Sequence, residues 1–264
     1  MENPLYEHPA DTPFYMFLKK ENFFFDIPHY HKSLEFIYLI KGKTTVHCDD
    51  SVYELTKGDA FLCNNEQVHY YENNDNNSLG FIVLLSNSYL HEFDLFYKNS
   101  KFPCLLQNKK ANAEIYSLLQ KWLDYKDKNY LVDSAFANLF LDKIVKLYGL
   151  IGTNEYESMN TTAIAFVNYV KENYFENLSL DSMAYRFGYS KEYFSKKFKQ
   201  VVGKNFLSFL NDIRLQKAIE LLNDPDRKLT FQEICAKCGF NNSATLYRHL
   251  KKIKEANPRL QDNH

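Results

Sequence analysis

Apolar and polar positions follow two rhythms along this chain. Up to about residue 90 the apolar runs are short and rich in β-branched and aromatic residues. Leu34–Ile40 is one such run and ends at the turn Lys41-Gly42-Lys43. Thr44–Cys48 and Val52–Leu55 flank Asp49-Asp50 as a hairpin, and Lys57-Gly58-Asp59 turns the chain into Ala60–Cys63. The polar stretch Asn73–Asn77 is a loop before Leu79–Leu85. Many short strands at this spacing predict a small barrel or sandwich.

From about 109 to 150 the apolar period is helical. Ile115, Leu118, Leu119, Trp122 and Leu123 make one stripe. Leu131, Ala135, Leu139, Ile144 and Leu147 make another after the turn-like Lys126-Asp127-Lys128-Asn129. The pattern predicts a helical hairpin packed on the strands, with most of each stripe in the core. A homodimer interface is the alternative for part of it. Gly149–Glu155 breaks the period and reads as a linker.

Beyond the linker the chain repeats itself. Leu180 to Ser190 parallels Phe231 to Asn241, each a short helix with a small residue (Ala184, Cys235) at the same place. Each is closed by a glycine, Gly188 or Gly239, followed by an aromatic residue. A helix-turn-helix needs these parts: the small side chain lets a second helix approach, and the glycine can take a positive φ. Ser190 and Asn242 stand where they can cap the next helix. In the first of these helices Phe194, Phe198 and Val201 share a face, opposite Glu192, Ser195, Lys196 and Lys199. In the second, Leu246, Leu250 and Ile253 oppose Ala244, Tyr247, Arg248 and Lys251. The units span about 178–200 and 229–252, joined by a long helix near Phe206–Leu222.

This double unit resembles the AraC/XylS family of transcription regulators over residues 161–258. The resemblance is carried by Leu178-Ser179-Leu180, Ala184, Ser190, Phe198-Lys199, Gly203, Arg214, Ala218, Leu221-Leu222, Ile234, Gly239-Phe240, Arg248 and Pro258. It implies that both second helices enter successive major-groove segments of double-stranded DNA. Its DNA-binding residues would be Ser190, Lys191, Glu192, Ser195, Lys196 and Lys199 in the first unit. In the second they would be Asn242, Ser243, Tyr247, Arg248 and Lys251. Arg248 suits a base edge, because a guanidinium can donate two parallel hydrogen bonds to guanine; Lys199 and Lys251 suit phosphates. The chain departs from the family at its end, where Lys254-Glu255, Gln261 and Asp262 replace the usual residues. Asn257-Pro258 supplies a cap and a first-turn proline. RNA polymerase is a further partner that the resemblance implies.

Charge agrees with this division. The chain carries a net −1, yet residues 161–264 hold 17 Lys and Arg against 11 Asp and Glu, and residues 1–160 hold 15 against 22. A basic module beside an acidic one predicts that the C-terminal half faces phosphates.

The N-terminal half carries its own constellation. His29, His31 and Glu35 alternate at a spacing that would share a strand face, and His69 can join them from a neighbouring strand. Three imidazoles and a carboxylate could cage a divalent transition metal. The other reading is a polar lining for a small organic effector, with no cofactor. His47 could reach the same interior or lie at the surface. His29-Tyr-His31 through Glu35 to Gly42 follows the first cupin motif, and Gly58 through His69 to Asn73 the second, with Asn64 and Glu66 in place of its usual proline and glycine. This half therefore resembles a cupin, and AraC-like regulators commonly carry a cupin-like sensor.

Other features bound the reading. The opening Met-Glu-Asn-Pro is no secretory signal, and no apolar stretch reaches the ~18 residues of a membrane span. Five scattered cysteines, Cys48, Cys63, Cys104, Cys235 and Cys238, fit reduced thiols in a cytoplasm. Cys235 and Cys238 form a CxxC without a second pair, so they read as buried small hydrophobes. The expected fold class is α+β: a cupin-like barrel (1–105), a helical hairpin (106–150), a linker (151–160) and an all-α DNA-binding domain with two helix-turn-helix units (161–264). The expected function is an effector-responsive DNA-binding regulator, not an enzyme and not bound to a membrane. A metal-dependent cupin enzyme, or a regulator whose barrel only dimerises, are the alternatives.

Overall fold

The computed structural model describes residues 14–20, 27–73, 78–86, 90, 93, 95–97, 100–127, 129–152, 157–224 and 228–256. The chain divides into two compact units, with the boundary between Ile164 and Ala165.

In the first unit, five strands form an antiparallel sheet in the order β1-β7-β2-β5-β9. These are β1 (Phe14–Lys20), β2 (Leu34–Lys41), β5 (Ala60–Cys63), β7 (Leu79–Leu85) and β9 (Leu105–Leu106). A three-stranded sheet, β4-β3-β6, comprises β3 (Lys43–Cys48), β4 (Ser51–Thr56) and β6 (His69–Asn73). The two share a core: Val46, Cys48, Leu55 and Tyr71 from the small sheet meet Ile37, Leu39, Phe61, Cys63 and Ile82 from the large one.

The opposite face of the large sheet is covered as well. Phe36, Ala60, Leu62, Phe81 and Val83 pack with residues of two helices, α1 (Lys109–Asp124) and α2 (Tyr130–Tyr148). Burial on both faces explains why β2 and β5 read as nearly continuous apolar runs rather than as alternating ones. Asn108 and Asn129 cap the helices, and the Trp122 indole donates to Asp133 Oδ1 at 2.6 Å, tying the hairpin together.

Several expectations change. The second helical stripe has a different phase: Ala137, Phe140, Leu141 and Ile144 are buried, whereas Leu131, Leu139 and Leu147 are exposed. This helix is apolar on more than one side, so periodicity alone did not select the inward face. The residues expected to form a linker are partly structured. Ile151 and Gly152 form β10, paired with β8 (Ser100–Lys101), and a helix, α3 (Glu157–Asn173), begins soon after. The apolar run at β1 was not among the expected strands, yet it pairs with β7 along its whole length.

The second unit is helical. After α3 come α4 (Leu180–Phe187), α5 (Lys191–Val202), α6 (Phe206–Leu222), α7 (Phe231–Lys237) and α8 (Ser243–Ala256). Phe166 of α3 lies against Phe187, Phe194 and Phe198, and Phe198 against Phe206 and Phe209. A second cluster, Leu215, Ala218, Ile234, Cys235, Cys238, Phe240 and Leu246, holds α6, α7 and α8 together. The CxxC cysteines are therefore core side chains, and burial pushes the Cys238 thiol up to about 11.

Candidate ligand site and nucleic-acid interface

The four residues singled out in the N-terminal half converge, though not as one strand face. The His29 backbone bridges His69 in both directions (N–H to O, 3.0 and 2.8 Å). The chain bends at Lys32-Ser33 before β2 delivers Glu35. The ligand atoms of His29, His31, Glu35 and His69 all lie within 4.8 Å of one another. His29, Glu35 and His69 are buried and His31 is half-buried.

Backbone carbonyls fix the imidazoles. Nδ1 of His29 lies 2.9 Å from Ile27 O, that of His31 2.9 Å from Ser33 O, and that of His69 2.9 Å from Gln67 O. A carbonyl oxygen only accepts, so each Nδ1 carries the proton and donates it. The Glu35 carboxylate likewise only accepts, so the 2.9 Å contact with His31 Nε2 is a hydrogen bond donated by the imidazole. The Glu35 carboxylate sits among them as an acceptor: Oε2 lies 2.9 Å from His31 Nε2 and 3.5 Å from His69 Nε2, while Oε1 accepts from the Tyr71 hydroxyl at 2.7 Å. His69 Nε2 is buried with no hydrogen-bond partner.

Burial holds the His29 imidazole well below its usual range, with the neighbouring His69 adding to the effect. Burial alone would raise the Glu35 carboxyl, but His31 and His69 outweigh it and hold it well below the ordinary carboxylate range. Burial raises the Tyr71 phenol and pushes the Cys63 thiol to about 12, so both stay protonated beside the cluster. Cys63 Sγ is 3.0 Å from His69 Nδ1. Neither residue was singled out from the sequence; each reaches the cluster through strand pairing that no local motif encodes. His47 is elsewhere: its ring stacks on Tyr70 at 4.2 Å and its Nε2 meets Glu72 at 3.2 Å.

In the second unit each short first helix opens with a reciprocal cap. Ser179 and Ser182 form one such capping box at α4, and Thr230 and Glu233 another at α7. Gly188 takes φ 72° and Gly239 φ 78°. At Gly239 a Cβ would lie 2.8 Å from Tyr174 O and 2.9 Å from Arg214 Nε, so only glycine fits the close approach. Arg214 itself donates to Tyr174 O and Glu176 O, each at 2.7 Å, and so holds the segment after α3.

The helices that follow sort their side chains as the repeat suggests. Ser190 caps α5 by accepting from Tyr193 N, and Asn242 accepts from Thr245 N at 2.9 Å at the start of α8. Phe194, Phe198, Val201 and Leu246 are buried. Lys191, Glu192, Lys196, Lys199, Ser243, Tyr247, Arg248 and Lys251 are exposed, and Ser195 is half-buried. Lys191 pairs with Asp181 at 2.7 Å, and the Arg248 guanidinium donates to Thr245 Oγ1 at 3.3 Å. The exposed Tyr185 and Tyr193 belong to the same unit and were not singled out from the sequence. Asn257-Pro258, Gln261 and Asp262 lie outside the described residues, as do the side chains of Ile253, Lys254 and Glu255.

The AraC-like ligand binding domain matches residues 14–141, and a helix-turn-helix domain matches residues 183–260. The chain belongs to the AraC family of transcription regulators. Among relatives of this AraC-family chain, the HTH-type transcriptional regulator YdeC of Bacillus subtilis is 21% identical over 246 residues, covering 87% of this chain and 84% of that protein. An HTH-type regulator of Staphylococcus aureus is 21% identical over 84% of this chain, which spans only 30% of that protein. Among solved structures, ToxT of Vibrio cholerae with an unsaturated fatty acid bound has a TM-score of 0.48 at 17% identity, covering 93% of each chain. The DNA-binding domain of AdpA in complex with target DNA has a TM-score of 0.32 at 24% identity, covering 34% of this chain and 79% of that one.

Proposed function

We propose that this AraC-family regulator reads double-stranded DNA with α5 and α8, and that a ligand held at the His29, His31, Glu35 and His69 cluster sets its affinity for the operator. The observation carrying the DNA part is the repeated, capped helix-turn-helix whose second helices bury one face and expose Glu192, Lys196, Lys199, Tyr247, Arg248 and Lys251 on the other. On this reading Arg248, Tyr247, Glu192, Ser195 and Lys196 meet base edges, and Lys199, Lys251 and Lys191 meet phosphates. Ser190, Asn242 and Ser243 fix the helix starts beside the backbone. RNA polymerase is the further protein partner.

Homodimerisation belongs to the same reading. Leu131 and Leu139 are 75% and 52% exposed on α2, and they are the side chains that a second copy would cover. Among the described residues no helix is long and apolar enough to cross a membrane; work in the cytoplasm, and regulation rather than catalysis, are part of the same reading.

The test is selection of bound fragments from genomic DNA by the purified full chain, with and without cell extract. A small set of enriched fragments is the expected result, with enrichment that changes when extract is present. Recovery of fragments in proportion to their abundance would overturn sequence-specific reading.

A further inference from the structure

The start of α8 carries a short relay of side chains. The Asn242 carboxamide oxygen accepts from the Thr245 backbone N–H and from the Thr245 hydroxyl, each at 2.9 Å. A hydroxyl has a single proton to give, and its oxygen can still accept. With that proton given to Asn242, Thr245 Oγ1 turns only acceptor capacity toward Arg248, whose Nη2 donates to it at 3.3 Å. Thr245 and Arg248 stand three residues apart on α8, so they are neighbours on the helix surface.

That contact gives the guanidinium a direction. A long side chain on a helix folds back toward the N-terminus, and here Thr245 holds the Arg248 head over the first turn of α8. In a helix-turn-helix the N-terminal residues of the second helix meet the base edges. One N–H of the guanidinium goes to Thr245, and the others remain for the parallel pair that guanine O6 and N7 accept. A free arginine loses rotamer freedom when it binds, and one already held loses less. The first unit is built differently. Counted from the caps Ser190 and Asn242, Lys196 stands where Arg248 does, and Tyr193 where Thr245 does. The Tyr193 ring lies against that of Tyr189, with 5.0 Å between centroids, and a lysine ammonium is a point charge without a planar fork.

We propose that Thr245 is a positioning residue for base reading: anchored by Asn242, it pre-sets the Arg248 guanidinium and so sharpens the choice of base in the second unit. The proposal rests on the reading of α8 as a DNA-reading helix with Arg248 at a base edge. Thr245 acts through Arg248 and not by a contact of its own. Its effect is therefore confined to one base pair and disappears when Arg248 is gone. Serine can make both side-chain bonds; valine, of nearly the same shape, can make neither. The valine variant keeps the helix cap, because the backbone N–H at that position still reaches Asn242.

The test titrates the full chain against its selected operator and every single-base variant of it. Thr245→Val should lose about two- to tenfold in operator affinity. It should also lower discrimination at the base pair that Arg248→Ala levels, and leave the other base pairs as they are. Thr245→Ser should keep both affinity and discrimination. Combined with Arg248→Ala, Thr245→Val should add nothing further. Urea midpoints establish that each variant folds, and Thr245→Ala takes the place of the valine variant if that one does not. A loss equal at every base pair, a loss that persists beside Arg248→Ala, or a serine variant that behaves like valine would overturn the positioning role. Failure of the underlying reading looks different. If the unaltered chain binds operator and unrelated duplex alike, DNA reading itself fails. If Arg248→Ala levels no base pair, the roles of Arg248 and Thr245 fall together. If Arg248→Ala levels one base pair and Thr245→Val leaves it untouched, the role of Thr245 alone is overturned.

Discussion

Single residues carry much of the specificity in this account, and two of them test different links. At Gly239 the backbone is left-handed and a Cβ would press on Tyr174 O, Arg214 Nε and Phe175 Cα. Gly239→Ala should therefore lower stability by at least ~1–2 kcal/mol, seen as an earlier urea midpoint, while the same change at an unstrained glycine would be neutral or better. Arg248 has an exposed side chain held by Thr245 at the start of α8. Arg248→Ala should cost ~1–3 kcal/mol on the operator and relax preference at one base pair, measured by titration against single-base variants. An equal loss on every variant would make Arg248 a phosphate contact instead. The spacing of His29, His31, Glu35 and His69 was legible because short motifs preserve it in the sequence. Cys63 and Tyr71 were not legible, since β5 and β6 bring them to the cluster only after the sheets pair.

Elements were legible where local chemistry and packing agree. The α4 and α7 repeat announces itself by its small residue and its glycine, and the Thr230–Glu233 capping box could also have been read from the spacing. That box predicts a pH dependence. Hydrogen bonds from the Thr230 backbone N–H, then from its hydroxyl, hold the exposed Glu233 carboxyl below its ordinary value. The native state thus takes up this proton less readily than the unfolded chain, so the stabilisation is complete above the ordinary carboxylate range and fades as pH falls through the lower, folded value. Urea midpoints of the chain and of Glu233→Gln should differ at neutral pH and converge in acid; a constant difference would show that the carboxylate charge is not involved. The phase of α2 was not legible. Leu131, Leu139 and Leu147 are as apolar as Phe140, Leu141 and Ile144, and only the sheet beneath decides which set is buried.

At the scale of the whole molecule, the split between an acidic and a basic half was visible in the sequence, and the division between the two compact units falls close to it. The long-range pairings were not visible. β1 ends at Lys20 and yet joins β7, which starts only at Leu79, and β10 pairs with β8 where a free linker was expected. Such pairings depend on which sheet edges remain open after folding, a property of the assembled fold and not of any window of sequence. The most direct test of the central claim, DNA recognition by the basic helices of the second unit, is a titration of the full chain against its selected operator across a range of salt concentrations. Affinity should fall linearly on logarithmic axes as salt rises, and Lys199→Ala should reduce that slope by about 1 while weakening all sequences alike. Affinity indifferent to salt, or equal for operator and unrelated duplex, would contradict the account.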